Sequence, residues 1–128
     1  MDMENASKTV LIVDDDPFIL DMYVLKFREE GFRVEVASDG KKAFEQIKEV
    51  HPDVVLLDIV MPLMDGFEVL NKAKQDDALK NIPIILLTNL GQKEDTERGT
   101  SLGASDYIIK AHFTPSEVVS KVKEFLKK

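Results

Sequence analysis

The sequence predicts a doubly wound α/β sandwich built on a five-stranded parallel sheet. Two observations predict the class. Short apolar runs alternate five times with longer segments of helical period. Most of those runs, such as Val54 to Leu57, lack the in-out alternation of a half-exposed strand, so both faces should be covered by helices. A third observation concerns position: residues able to do chemistry close several of the runs, which in a parallel sheet sends them to one rim.

The first run, Thr9 to Val13, ends in Asp14-Asp15-Asp16. Asp16-Pro17 reads as a helix start, with Asp at the N-cap and Pro at the first helical position, and that helix should run from Pro17 to Glu30 and stop at Gly31. Arg33 to Ala37 is β-branched-rich and alternating, a second strand. Ser38-Asp39-Gly40 is a turn and cap, after which Ala43, Phe44, Ile47 and Val50 follow at helical spacing until Pro52.

The third run, Val54 to Leu57, closes on Asp58. Pro62 and Asp65-Gly66 mark a loop and cap before a helix carrying Phe67, Val69, Leu70 and Ala73. Ile82 to Leu87 is the fourth strand and ends on Thr88. Gln92 to Leu102 is a polar helix that Gly99 should break and Gly103 should close. Asp106 to Ile109 is the fifth strand, ending on Lys110. The last helix starts at Thr114-Pro115 with Glu117 completing a capping box, and Val118, Val119, Val122, Phe125 and Leu126 form its apolar face.

At 128 residues, 44% hydrophobic and 32% charged, the chain has the size and composition of one soluble domain. Residues 1–7 are polar and expected to form a flexible tail, leaving 8–128 as the domain. With no cysteine, disulfides, thiolate metal sites and cysteine nucleophiles are excluded. The net charge of −7 argues against direct binding to nucleic acid. No apolar run suits a membrane span and the N-terminus has no signal-peptide pattern, so a cytoplasmic protein without membrane contact is expected.

The strand ends bring together Asp14 and Asp15 from the first strand, Asp58 from the third, Thr88 from the fourth and Lys110 from the fifth. Carboxylates packed this closely repel, and a divalent cation removes the conflict. An all-oxygen ligand set favours a hard ion, Mg²⁺ above others. A carboxylate can attack phosphorus and carry an acyl phosphate, while a lysine and a hydroxyl can hold phosphoryl oxygens. Phosphoryl transfer is mostly positioning and charge neutralisation, so no further catalytic group is needed.

These residues, with Leu57-Asp58-Ile59-Val60-Met61-Pro62 and Asp65-Gly66, resemble the receiver domains of bacterial two-component response regulators, from about Lys8 to the C-terminus. The resemblance implies a flavodoxin-like strand order of 2-1-3-4-5 and a phosphoacceptor at Asp58. It implies Mg²⁺ held by Asp14, Asp15, Asp58 and the backbone carbonyl of Val60, with Thr88 and Lys110 reading the phosphoryl group and Tyr107 as a switch aromatic that follows Thr88. The donor would be a sensor histidine kinase or a histidine phosphotransfer protein. The protein would be a signalling switch rather than an enzyme, catalysing only its own phosphorylation and dephosphorylation. With the chain ending soon after the fifth helix, output is expected by contact with an effector protein on the face of the fourth helix, fifth strand and fifth helix, as in a stand-alone receiver.

Three features depart from the commonest family pattern. Ala111 follows Lys110 where proline after a cis peptide is usual, and the sequence leaves the isomer open. Asn89, bulkier than the usual small residue after the threonine, is expected to narrow access. Val60 and Leu90 are apolar where polar residues help to place attacking water, so hydrolysis of the acyl phosphate is expected to be slow.

The competing readings are plainer. Asp16 reads as a cap, Asp65-Gly66 as a turn, His51 and His112 as surface histidines, and Met61, Met64 and Phe67 as packing. A receiver-shaped docking module without phosphorylation is the alternative function, and it would call for a broken acidic site. Flavin binding on the same fold conflicts with the acidic loop after the first strand, where a phosphate-binding loop would have to lie.

Overall fold

The computed structural model describes residues 8–127, so the expected tail at 1–7 lies outside the described residues. The elements follow in the order β1 (Thr9–Val13), α1 (Pro17–Glu29), β2 (Arg33–Ala37), α2 (Gly40–Val50), β3 (Val54–Leu57), α3 (Gly66–Gln75), β4 (Ile84–Thr88), α4 (Lys93–Ser101), β5 (Asp106–Ile109) and α5 (Pro115–Leu126). A single turn of 3₁₀ helix at Lys110–His112 joins β5 to α5. The strands form one parallel sheet in the order β2-β1-β3-β4-β5.

Successive strand residues point to opposite faces, and here each face has its own core. Leu11, Val13, Val55, Leu57, Ile84 and Leu86 pack against Ala43 and Ile47 of α2 and Phe67, Leu70 and Ala73 of α3. Val10, Ile12, Val54, Leu56, Ile85, Leu87 and Ile108 pack against Tyr23 and Phe27 of α1 and Val118, Val119 and Val122 of α5. The unbroken apolar runs are therefore two alternating patterns superimposed, one for each core.

The helix starts follow local chemistry. Asp16 accepts hydrogen bonds from the Phe18 and Ile19 amides, Asp39 from Lys42 and Asp65 from Glu68, each using an amide the helix leaves unpaired. Thr114 and Glu117 form the reciprocal capping box. Gly31 and Gly103 take the positive φ of a helix exit, and His51 does the same after α2 with φ of 49°.

Two expectations are corrected. Gly99 does not break α4, which runs through it from Lys93 to Ser101. A Cβ at Gly99 would lie 2.7 Å from Cδ1 of Leu86 and 3.2 Å from the Tyr107 ring, so the glycine permits close approach of α4 to the sheet. The fourth strand starts at Ile84 rather than Ile82, because the Ile82 amide donates to Leu79 in a turn and its carbonyl accepts from Lys74 Nζ at 3.1 Å. All described peptide bonds are trans, including the one between Lys110 and Ala111.

Candidate functional site

Parallel pairing delivers the ends of β1, β3, β4 and β5 to one rim of the sheet. Val13 pairs with Leu57, so the next residues, Asp14 and Asp58, leave adjacent strands side by side. Their backbones stay within the hydrogen-bonded frame: the Asp14 amide donates to the Ala37 carbonyl at 3.2 Å and the Asp58 amide to the Val13 carbonyl at 3.1 Å. Thr88 pairs with Ile109, which places Lys110 one step beyond the last rung between β4 and β5.

Asp14, Asp58 and Thr88 are buried, unlike most polar residues of this chain. Lys110 Nζ donates to Asp14 Oδ2 at 2.5 Å and to Asp58 Oδ2 at 3.2 Å. The remaining oxygens have partners as well, since Asp14 Oδ1 accepts from the Asp16 amide at 2.9 Å and Asp58 Oδ1 from the Ile59 amide at 2.7 Å. Asp15 is exposed and completes the acidic group: one carboxylate oxygen from each of Asp14, Asp15 and Asp58 lies within 4.8 Å of the others. An all-oxygen set of this kind suits Mg²⁺, which keeps several waters and needs few carboxylates.

The electrostatics match that geometry. Burial pushes the Asp58 carboxyl above the usual range, opposed by the Lys110 charge and the Thr88 hydroxyl, while Asp14 adds to the rise. Burial draws the Lys110 ammonium down, but the hydrogen bond to Asp14 and the charges of Asp58 and Asp14 outweigh it and leave the group raised. The lysine thus remains a cation in a partly desolvated place.

These groups face a cleft of about 300 Å³. Its polar wall carries the acids, Thr88, Asn89 and Lys110, and its apolar wall carries Ile19, Val60 and Leu90. Val60 is 61% exposed at the mouth of the cleft. The Thr88 hydroxyl accepts from the Leu90 amide at 3.4 Å, and the Tyr107 hydroxyl donates to the Leu90 carbonyl, so both touch the loop after β4.

Asp14, Asp15, Asp58, Val60, Thr88 and Lys110 therefore line one cleft, and Tyr107 reaches its rim through Leu90. Asp16 caps α1, His112 is exposed, and Phe67 is buried in the core with Met61 and Met64 against it, as the plainer readings expected.

Three residues carry more than the sequence suggested. Asn89 Oδ1 accepts from the Ala111 amide at 3.1 Å, whereas the sequence pointed only to its bulk. The signal lay in the pairing of Asn89 with a residue after Lys110 that still has an N–H. Gly66 is more than a turn: a Cβ there would lie 2.3 Å from the Asp58 carbonyl oxygen. Asp53 accepts from the Thr9 amide at 2.7 Å and fastens the start of β1, a role with no pattern in the sequence.

The family model for the response regulator receiver domain matches residues 10–123. The chain belongs to that family. This receiver is 36% identical over 126 residues to the DNA-binding response regulator MtrA of Mycolicibacterium smegmatis, covering 98% of this chain and 54% of that protein. It is 35% identical over 119 residues to the DNA-binding dual master transcriptional regulator RpaA of Synechocystis, covering 93% and 49%. The receiver thus spans about half the length of the curated relatives it matches. Among solved structures, a putative response regulator from Chloroflexus aurantiacus superposes with a TM-score of 0.87 at 35% identity, over 95% of this chain and 99% of that one. A CheY-like receiver domain protein from Methanospirillum hungatei gives a TM-score of 0.87 at 32% identity, over 94% of each chain. No helix among the described residues is long and apolar enough to cross a membrane.

Proposed function

We propose that this receiver accepts a phosphoryl group from a phosphohistidine onto Asp58 and uses the modification to change its protein contacts. The observation that carries the reading is the approach of the Asp14, Asp15 and Asp58 carboxylates to within 4.8 Å, with Lys110 against two of them. Such a cluster is costly without a cation and suits an anion transfer once one is bound.

Asp14, Asp15, Asp58 and the Val60 carbonyl would hold Mg²⁺, which would neutralise charge on the phosphoryl oxygens during transfer. An Asp58 carboxylate oxygen attacks phosphorus. The new P–O bond forms as the P–N bond breaks, and the departing imidazole nitrogen keeps the electron pair. Lys110 supplies a point charge to one phosphoryl oxygen and the Thr88 hydroxyl donates to another. Hydrolysis returns the carboxylate and inorganic phosphate when water attacks the same phosphorus.

As Thr88 turns toward the phosphoryl group it gives up the Leu90 amide, and the loop that holds Tyr107 responds. The readout is then the face of α4, β5 and α5, where an effector protein binds. A sensor histidine kinase or a histidine phosphotransfer protein supplies the phosphoryl group. The net charge of −7 opposes direct contact of this domain with nucleic acid, and cytoplasmic location without membrane contact belongs to the same reading. The DNA-binding names belong to relatives about twice as long.

Incubation with acetyl phosphate and Mg²⁺ followed by intact mass measurement tests the reading. One phosphoryl group should be gained by the wild type and none by Asp58→Asn, and chelation of the metal should abolish the gain. Equal phosphorylation of Asp58→Asn would refute it.

A further inference from the structure

The backbone ladder between β4 and β5 ends at Thr88 and Ile109. One step further, the Asn89 side chain supplies the next link, accepting from the Ala111 amide at 3.1 Å across 22 residues of sequence. Lys110 lies between these two ties, with Ile109 held by the sheet on one side and Ala111 held by Asn89 on the other. Its ammonium must then cross to the acids of β1 and β3, at 2.5 and 3.2 Å. A small rotation of the backbone at Ala111 would be magnified along the four-carbon lysine stem. A proline at this position would have no N–H to offer, so the link depends on both residues of the pair.

We propose that Asn89 is a positioning residue that acts through Lys110, aiming its ammonium by fixing the backbone at Ala111. The inference rests on the reading of Lys110 as the cation that meets the phosphoryl group. It opposes the expectation from size alone, in which Asn89 obstructs the cleft and its removal opens it. The two differ in sign: loss of an obstruction speeds phosphorylation, and loss of a positioning bond slows it.

The test is a double-mutant cycle on the whole chain, with acetyl phosphate and Mg²⁺ as the donor system and intact mass as the readout. Asn89→Ala should slow phosphorylation about five-fold, the effect of one net hydrogen bond. In the Lys110→Ala background the same substitution should change the rate less than about two-fold, because the residue it acts through is gone. Hydrogen exchange at the Ala111 amide should quicken in Asn89→Ala and slow again in Asn89→Asp, which restores an acceptor oxygen. The Lys110 ammonium resonance should exchange slowly with water in the wild type and broaden in Asn89→Ala. A faster Asn89→Ala variant, or an equal slowing in both backgrounds, overturns the proposal. Wild type that gains no phosphate sinks the functional reading instead, and the amide and ammonium signals then decide the positioning role alone.

Discussion

Lys110 stands nearer to Asp14 than to Asp58, at 2.5 Å against 3.2 Å. The side chain that would meet the phosphoryl group is therefore engaged first by an acid that would hold the metal. A divalent ion must compete with that ammonium for Asp14. Lys110→Ala should accordingly tighten Mg²⁺ binding roughly three- to ten-fold, since it removes a neighbouring positive charge. Isothermal titration with Mg²⁺ measures this, and weaker binding in the variant would show that the lysine organises the acids instead of competing for them.

Val60 and Leu90 present hydrocarbon to the cleft where a water would have to be held for hydrolysis. Phospho-Asp58 should therefore persist. Val60→Asn combined with Leu90→Lys supplies groups able to orient water and should hasten dephosphorylation by roughly ten-fold or more, within the usual reach of positioned polar groups. The decay of the phosphorylated mass after donor removal checks this, and an unchanged or slower decay in the double variant counts against it.

Gly66 packs under Asp58, where a Cβ would lie 2.3 Å from the Asp58 carbonyl oxygen and 2.8 Å from the Ile59 Cα. Backbone cannot give way as a side chain does. Gly66→Ala should cost about 2–4 kcal/mol in urea denaturation. At Gly91 the nearest atom to an added Cβ is the side-chain Cδ1 of Ile109 at 3.3 Å, so Gly91→Ala should be much milder. Similar losses at both positions would refute the packing argument.

The chain has two tyrosines, and neither should ionise in the ordinary range. Burial is the main cause in both cases, raising Tyr23 and pushing Tyr107 up to about 12, with the charges of Asp95 and Asp58 adding to the latter. The folded state thus keeps protons that the unfolded chain loses near pH 10. The resulting stabilisation is complete below that pH and is lost as pH rises through 10 toward 12. An ultraviolet difference titration should show no tyrosinate step at 10 before unfolding, and Tyr107→Phe should remove one late step. A full-size step at the normal value would contradict the buried placement of Tyr23 and the half-buried one of Tyr107.

The fold was legible in the sequence because its signals are local and strong. Asp16-Pro17 and Thr114-Pro115 each start a helix with their own side chains. The runs of β1, β3 and β4 have no alternation because both faces are buried, which marks a parallel sheet and so the single rim. That rim made Asp14, Asp58, Thr88 and Lys110 readable together as a site.

What escaped depended on contacts between distant segments. Gly99 looks like a helix breaker when its own neighbours are considered, and the Leu86 and Tyr107 side chains beneath it explain the choice. The bond from Asn89 to Ala111 and that from Asp53 to Thr9 join residues 22 and 44 positions apart, with no periodicity to mark them. The starting point of β4 turned on Lys74 occupying the Ile82 carbonyl from another helix.

The amides of Asp14 and Asp58 are both spent on neighbouring strands, to Ala37 and Val13. Asp14 and Asp58 are thus anchored to the sheet by their own backbones, whereas Lys110 and Asn89 lie in the loops just past β5 and β4, and the Tyr107 hydroxyl reaches from β5 to the loop carbonyl of Leu90. If Asp58 is modified as proposed, the disturbance should run outward across β4 to the β5 flank and leave the β2 flank unmoved.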